Sequence, residues 1–283
     1  MILITGATGK IGRELVKQLT GKGVKVRALL RHPEKAKDWK GVDVVKGDLD
    51  DAASVRAALH GVEKLFLLTN ANPKHEALAI DEAKRAGVSL VVKLSSMGAD
   101  VDSKMTIGRA HGAMEAKLKA SGLAFTLLRP GMFAQNFLGH AESIRREGQF
   151  QGAYGEAKVA PIDVRDIAEV AALALTGPGH EGKTYVLTGS VAITQTDAAA
   201  KLSAAVGKPI RYVNVPLEII AKSIREGMSR AGAPEWLADD MIAMQESAAQ
   251  YESNAVSPDF ERLTGHPSRT FDDFARDSAS AFR

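Results

Sequence analysis

The first twelve residues constrain the fold more than any other part of this chain. The run Ile2–Thr5 is typical of a buried strand, and a helical apolar pattern begins at Ile11. Three glycines occur here at three-residue spacing: Gly6, Gly9 and Gly12. A strand that turns directly into a helix aims free backbone N–H groups and the positive end of the helix dipole at one point. Because a pyrophosphate fits such a point, the turn predicts a nucleotide site.

The three glycines have separate predicted roles. Gly6 permits the tight turn, Gly9 lets the backbone approach the phosphates, and Gly12 lets the helix pack closely on the sheet. The spacing G-x-x-G-x-x-G is also compatible with an ordinary strand–helix turn, but the flanking elements favour a dinucleotide cofactor. The same loop supplies three further candidate cofactor contacts, which are Thr8, Lys10 and Ile11.

Apolar runs alternate with helical patterns through the first half of the chain, which predicts an α/β fold. Such alternation is typical of a doubly wound parallel sheet of the Rossmann type, with helices on both faces. Asn72 and Pro73 predict the start of one helix, which Gly87 ends. The predicted strands are Ile2–Thr5, Lys25–Leu30, Val42–Lys46, Lys64–Thr69, Leu90–Leu94 and Phe125–Leu128.

The alternation becomes irregular after Leu128. Residues 148–155 have the composition of a loop, residues 164–175 that of a helix, and two late strands are expected at Thr184–Leu187 and Ile210–Val215. We therefore predict an NADP-binding Rossmann domain over residues 1–150, with strand–helix returns up to about residue 190. Residues 151–283 are predicted to form a smaller, mostly helical part that covers a substrate cleft.

Composition excludes several classes of protein. The 283 residues include no cysteine, so disulfides, thiolate nucleophiles and zinc–thiolate sites are excluded, and no metal site is expected. The net charge of +3 is too balanced to indicate nucleic acid or an anionic membrane as a partner. The N-terminal apolar stretch is too short for a signal peptide, so the expected location is the cytoplasm. The oligomeric state is left open.

The residue after the second strand indicates which cofactor is bound. Arg31 lies nineteen positions after Gly12, where an acidic residue would bind a free ribose hydroxyl and favour NAD. An arginine there instead accommodates the 2′-phosphate of NADP, and Lys10 and Lys35 would add positive charge. The alternative is a solvated surface cluster. We expect NADPH as the cofactor.

Residues after the later strands are candidates for the rest of the cofactor site, because ligands bind at the carboxyl ends of parallel strands. Asp48 is expected to bind the adenine amine, or else to cap a helix, and Leu49 to pack on the ring. The remaining candidates on the ribose and nicotinamide side are Thr69, Asn70, Ser95, Gly131 and Phe133.

A flat apolar wall is expected for the substrate, next to the nicotinamide. Phe133 and Phe137 are four residues apart, a spacing that is equally typical of core packing. The candidate substrate contacts are Met97, Phe133, Asn136, Phe137 and Tyr154.

The motifs resemble those of the NmrA-like atypical short-chain dehydrogenase/reductases. Within them the similarity is greatest to the bacterial type-2 NAD(P)H:quinone reductases and the triphenylmethane dye reductases. The resemblance runs the whole length of the chain, and is carried by Thr5–Gly12, Arg31, Gly47–Asp48, His111–Glu115, Leu128–Gly131, Asp163–Ala168, Gly182–Tyr185 and Gly265–Pro267.

The resemblance also shows what this chain lacks. Ordinary short-chain dehydrogenases carry Tyr-x-x-x-Lys on the helix after the fifth strand, whereas this helix carries His111 and Glu115. The one Tyr-x-x-x-Lys in the chain, Tyr154 to Lys158, lies in a predicted loop. The resemblance therefore implies hydride transfer from NADPH to a quinone-like or dye-like aromatic acceptor, which is already electrophilic, without flavin or metal.

Two questions stay open at this point. His111 either donates a proton to the reduced acceptor as the catalytic residue, or only hydrogen-bonds Glu115 or a loop. The chain is either a reductase or a non-catalytic NADP-binding redox sensor, because some NmrA-like proteins act through protein partners.

Overall fold

The computed structural model describes residues 1–250 and 256–283, and its largest element is a seven-stranded parallel sheet. The strand order is β3-β2-β1-β4-β5-β6-β8, so strand order reverses beside β1. The predicted doubly wound α/β fold is confirmed. The described strands are β1 (Ile2–Ile4), β2 (Val26–Leu30), β3 (Val42–Lys46), β4 (Lys64–Leu67), β5 (Leu90–Leu94), β6 (Phe125–Pro130), β7 (Gln149–Gly152), β8 (Lys183–Leu187) and β9 (Arg211–Asn214).

The helices begin and end at residues that the sequence marks. The Asn72 side chain accepts hydrogen bonds from the N–H groups of Lys74 and His75, with Pro73 at the first helical position, so the predicted cap is confirmed. The α-helices are α1 (Lys10–Gly21), α2 (Ala52–Leu59), α3 (Pro73–Arg85), α4 (Thr106–Ala120), α5 (Ala141–Glu147), α6 (Val164–Thr176), α7 (Gln195–Val206), α8 (Leu217–Arg230), α9 (Glu235–Gln250), α10 (Asp259–Thr264), α11 (Phe271–Asp277) and α12 (Ala279–Phe282). Short 3-10 helices span Pro33–Ala36 and Ala134–His140.

The chain forms two compact units. The first comprises residues 1–104, 108–130 and 164–187, and the second comprises residues 105–107, 131–163 and 188–283. In the first unit, the apolar residues of α2, α3 and α4 form a core with alternate strand residues such as Leu3 and Leu65. The intervening Ile4 and Phe66 are fully buried and point to the opposite face of the sheet, and α1 packs against α6.

The second unit is mostly helical, as predicted, around a core of phenylalanines. Its small sheet pairs β7 with β9 in parallel, with Phe150 opposite Tyr212. The prediction of a loop over residues 148–155 is therefore wrong for Gln149–Gly152. The partner strand lies about sixty residues further along the chain, and a four-residue segment gives no sign of such a partner.

Among residues 1–250 and 256–283, no helix is long and apolar enough to cross a membrane. The cytoplasmic location stays a prediction. The functional division near residue 150 also stays a prediction, and residues 251–255 of its C-terminal part lie outside the described residues.

Candidate active site

The turn between β1 and α1 is tight and requires glycine at its first position. Gly6 has φ +62°, in the left-handed region, and its carbonyl oxygen accepts a hydrogen bond of 2.9 Å from the Gly9 N–H. A Cβ at Gly6 would lie 2.8 Å from Leu68 Cγ. The hydroxyl of Thr5 donates to the Leu68 carbonyl at 2.9 Å, which fixes the turn against the end of β4.

The other two glycines have different roles. Gly12 allows the backbone of the turn to lie against α1, and Gly9 leaves the outer side of the turn open. A Cβ at Gly12 would lie 2.2 Å from the Gly6 carbonyl oxygen, so Gly12 admits the loop backbone against the helix rather than the helix against the sheet. A Cβ at Gly9 would meet only the Gly6 carbonyl oxygen, at 3.2 Å. Gly9 is the N-cap of α1, and as a glycine it has no side chain with which to cap the first turn. This geometry fits a phosphate that binds to the amides of the first turn.

The other predicted residues of this loop differ in exposure. Lys10 is exposed, Thr8 is half-buried, and the Ile11 side chain is buried in the core, so Ile11 can offer a ligand only its backbone. The Thr8 carbonyl accepts a hydrogen bond of 2.9 Å from Arg13 Nε. The Arg13 guanidinium lies over the Trp39 ring, 5.8 Å from its centroid.

Arg31 is exposed and lies directly after β2. Since β1 and β2 are parallel neighbours, with Ile4 opposite Ala28, Arg31 lies at the same edge of the sheet as the glycine turn. This is the edge at which doubly wound sheets bind ligands.

Asp48 and Leu49 lie after β3 at the same edge of the sheet, and both are half-buried. Asp48 does not cap α2, because Asp51 does so by accepting a hydrogen bond of 2.9 Å from the Ala53 N–H. Asp48 Oδ1 instead accepts a hydrogen bond of 3.1 Å from the Asp50 N–H. Leu49 packs against the core of the first unit.

Two of the predicted hydroxyl contacts are bonded to buried carboxylates. Thr69 Oγ1 donates to Glu76 Oε1 at 2.8 Å, and Ser95 Oγ donates to Glu115 Oε1 at 2.6 Å. Both hydroxyl protons are therefore used within the first unit. Asn70, in contrast, is exposed.

The predicted substrate residues are not alike in exposure. Met97 in the first unit is 43% exposed. In the second unit Asn136 is exposed, and Gly131 and Phe133 are half-buried. Phe137 is only 3% exposed, and its ring centroid lies 4.7 Å from that of Phe271, which favours the core-packing role over a pocket wall.

The Tyr154 and Lys158 pair lies outside any helix, between β7 and α6, in agreement with the prediction of a loop. The Tyr154 N–H donates to the Tyr212 hydroxyl at 2.9 Å. Burial, with a smaller contribution from Tyr212, raises the pKa of Tyr154 to about 12. Tyr154 is therefore a weak acid at neutral pH.

A buried ionic network lies under the ends of β4 and β5. Lys93, the fourth residue of β5, is completely buried, and its Nζ lies 2.8 Å from Glu76 Oε2. Lys93 Nζ also donates to the Leu94 carbonyl at 3.0 Å, and it lies 3.2 Å from His111 Nδ1. The charged Lys93 side chain therefore contacts the His111 ring at Nδ1.

The environment of His111 keeps its ring neutral. Burial, reinforced by the charge of Lys93 and opposed by that of Glu115, lowers the pKa of His111 to about 3. Glu115 does not bond to the ring, although it lies one helical turn away on α4. The expectation that Glu115 could be the hydrogen-bond partner of His111 is therefore wrong, and the partner is Lys93.

Glu115 is bonded instead to a residue of β6 and to the residue that directly follows β5. Its carboxylate accepts two hydrogen bonds from Arg129, at 2.8 Å and 2.5 Å, and one from Ser95. Burial raises the pKa of Glu115, but the hydrogen bonds from Arg129 and Ser95 outweigh burial, so the pKa lies below its ordinary value. The charge on Glu115 is fully paired and serves to fix α4 to the sheet.

Helix α4 makes unusually close contact with the segment that follows β5. A Cβ at Gly112 would lie 2.3 Å from the Asp100 carbonyl carbon, and one at Gly108 would lie 2.3 Å from Ser103 Oγ. The two glycines therefore allow the segment's backbone to lie directly on the helix that carries His111.

Comparison with known proteins gives the family. The model of the NmrA-like family matches residues 1–274. This chain belongs to the NmrA-like family. It is 41% identical to an NAD(P)H azoreductase of Xenophilus azovorans over 287 residues, with 100% of this chain and 99% of the relative covered.

Solved structures of two reductases have the same fold as this chain. An Escherichia coli NADPH-dependent quinone oxidoreductase, complexed with NADPH, is 33% identical with a TM-score of 0.86 over 98% of this chain and 99% of that one. The triphenylmethane reductase of Citrobacter, complexed with NADP(H), is 26% identical with a TM-score of 0.83 over the same shares. The predicted resemblance to quinone and dye reductases is confirmed.

Lys93 and Glu76 are residues of this NmrA-like protein that sequence reasoning missed. One signal was present, because Lys93 is the only charged residue in the otherwise apolar strand Leu90–Leu94. A lysine inside a strand that is buried on both faces requires a buried partner. In the described part of the chain, no group of three or more His, Asp or Glu residues is arranged to hold a metal ion.

Proposed function

We propose that this protein is an NADPH-dependent reductase of flat, electrophilic aromatic acceptors, quinone-like or dye-like, which needs neither flavin nor metal. The observation that carries the proposal is the β1–α1 turn, whose uncapped helix end and open face at Gly9 fit a dinucleotide phosphate. The relatives support it, since they include an azoreductase and a quinone reductase that was crystallised with NADPH. NADPH, when bound, supplies a hydride.

In this proposal most of the residues that hold the cofactor belong to the first unit. The amides of the first turn of α1 bind the pyrophosphate, together with the Thr8 side chain, and Arg31 binds the 2′-phosphate with added charge from Lys10. Asp48 and Leu49 take the adenine. The residues proposed along the ribose and nicotinamide are Thr69, Asn70, Ser95, Gly131 and Phe133. Ser95 and Thr69 contribute backbone groups, because their hydroxyl protons are already used.

The acceptor is proposed to be held rather than activated by a strong acid. The pKa of Tyr154 is about 12 and that of His111 is about 3, so neither side chain is poised to release a proton at neutral pH. An acceptor that is already electrophilic needs mainly to be positioned against the nicotinamide. Met97, Phe133 and Tyr154 supply the apolar contacts, with Asn136 as a polar one, whereas Phe137 belongs to the core.

A turnover assay with parallel binding measurements tests the proposal. Purified protein is given NADPH without flavin, and the loss of NADPH absorbance is followed with quinones, azo dyes and triphenylmethane dyes. We expect turnover with members of this panel. We also expect that Gly9→Val abolishes it, because a branched side chain occupies the space of the phosphates. The matched control is Gly227→Ala in α8, where a new Cβ meets no atom within 4 Å.

Two other results would count against the proposal. If NADPH and NADP⁺ both bind but no acceptor supports turnover, the role of redox sensor replaces that of reductase. If Gly9→Val binds NADPH normally, the phosphate site lies elsewhere in the chain.

A further inference from the structure

Three buried groups surround the ammonium group of Lys93. Its Nζ donates to the Leu94 carbonyl at 3.0 Å, lies 3.2 Å from His111 Nδ1, and forms an ion pair with Glu76 Oε2 at 2.8 Å. Glu76 is only 1% exposed, and its other oxygen accepts the Thr69 hydroxyl. The lysine is thus held on every side by buried groups.

This arrangement determines where the proton of His111 lies. An ammonium group can only donate, so Nδ1 must present its lone pair, and the ring proton must then lie on Nε2. His111 retains 7% exposure, and within the described residues the protein offers no acceptor to Nε2. The ring therefore has one donor that is still available to a ligand.

We propose that Lys93, itself held by Glu76, is a positioning residue that fixes His111 as a neutral Nε2–H donor to the reacting atom of the acceptor. The inference rests on the proposed reductase function. A neutral quinone that takes up a hydride gains its two electrons and becomes an anion on oxygen. The Nε2–H stabilises that anion by a hydrogen bond, and solvent water supplies the proton that completes the reduction.

A merely structural role explains the lysine less well. A buried ion pair gives little net stability compared with apolar residues of the same size. The pair does, however, act on the ring, because the charge of Lys93 disfavours an imidazolium at His111. The other charged group near the ring, Glu115 on the same helix, is paired with Arg129 and does not reach Nδ1 or Nε2.

Nitrogen-15 NMR of the histidine side chains tests the proton's location without any turnover. The signals of His111, which vanish in His111→Phe, should show Nδ1 unprotonated and Nε2 protonated, with no titration between about pH 5 and about pH 8. Glu76→Gln with Lys93→Met removes both charges together. In that double variant we expect both tautomers of the His111 ring, and a pKa of His111 that is closer to the ordinary histidine value. Protonated Nδ1 in the wild type would overturn the inference even if the double variant did not fold.

Two acceptors of different charge test the role in catalysis. A neutral quinone becomes an anion on reduction, whereas a cationic triphenylmethane dye becomes neutral and needs no donor. We expect His111→Phe to lower kcat by about a hundredfold with the quinone, at nearly constant KM, and much less with the dye. Equal losses with both acceptors would overturn the catalytic role. Absence of turnover with either acceptor in the wild type would instead count against the proposed function, while the NMR experiment would still test Lys93.

The pH profile gives a further readout that a structural role would not change. With the quinone, kcat of the wild type should be flat from about pH 5.5 to about pH 8, because the ring does not titrate there. In the double variant, kcat should rise as the pH falls through the new pKa, since an imidazolium donates more strongly than a neutral ring. A wild-type profile with an inflection near the ordinary histidine pKa would contradict the inference.

Discussion

The buried ring of His111 should make the stability of this protein depend on pH. Its pKa is about 3 in the fold and 6.5 in the unfolded chain, so below pH 6.5 the unfolded state takes up a proton that the native state refuses. The stabilisation is therefore complete above pH 6.5 and is lost as the pH falls toward 3. At about 1.4 kcal/mol for each pKa unit, the full effect is on the order of 5 kcal/mol.

Part of this effect is accessible under mild conditions. A pH of about 5 is about 1.5 units below the ordinary histidine pKa. Protonation of His111 in the unfolded chain should therefore lower the free energy of unfolding by about 2 kcal/mol relative to about pH 7.5. Urea unfolding at the two pH values measures the difference for the wild type and for His111→Gln. All other residues are the same in the two proteins, so their contributions to the difference cancel. We expect the wild type to lose about 2 kcal/mol more than the variant.

A matched control uses an exposed histidine. His60→Gln, at the end of α2, should retain the full pH dependence of the wild type. Identical losses in the wild type and in His111→Gln would refute the reasoning, because the native ring would then accept a proton as readily as the unfolded one does.

Three further predictions concern Arg31, the helical glycines Gly12 and Gly227, and Tyr154. Arg31→Ala should weaken NADPH binding by about 1.5–3 kcal/mol and leave NADH binding unchanged, as titration of both would show; equal losses would contradict it. Gly12→Ala should abolish NADPH binding and lower Tm, because its Cβ would lie 2.2 Å from the Gly6 carbonyl, whereas Gly227→Ala should raise stability by about 0.5–1 kcal/mol. Tyr154→Phe should leave kcat nearly unchanged, since its phenol has a pKa of about 12, and a loss of about a hundredfold would contradict this.

The sequence predicted the features that depend on neighbours along the chain. The β1–α1 turn, the Asn72 cap and the alternation of strands and helices are local, so their residues suffice to indicate them. The strand β7 was missed because its stabilisation comes from β9, which is distant in sequence. Phe137 was ambiguous for a similar reason, since its spacing is the same whether it packs in a core or lines a pocket.

In the candidate site, too, contacts between residues distant in sequence could not be predicted. Sequence reasoning selected His111 from its position on the helix, but its partner Lys93 lies on a strand eighteen residues earlier. A charged side chain in a buried strand indicates that a partner exists, but it does not identify Glu76 or the ring. Those pairings depend on how α3, β5 and α4 pack together.

The two glycines of α4 have a consequence for attempts to change the acceptor that this protein accepts. Each lowers the helix's intrinsic stability by about 0.5–1 kcal/mol relative to alanine, yet neither Gly108 nor Gly112 has room for a methyl group. Directed-evolution libraries that insert or delete residues after β5 would move the backbone lying on α4, and with it the imidazole. Libraries that diversify side chains such as Met97 at constant segment length would leave that backbone in place, and are the better starting point.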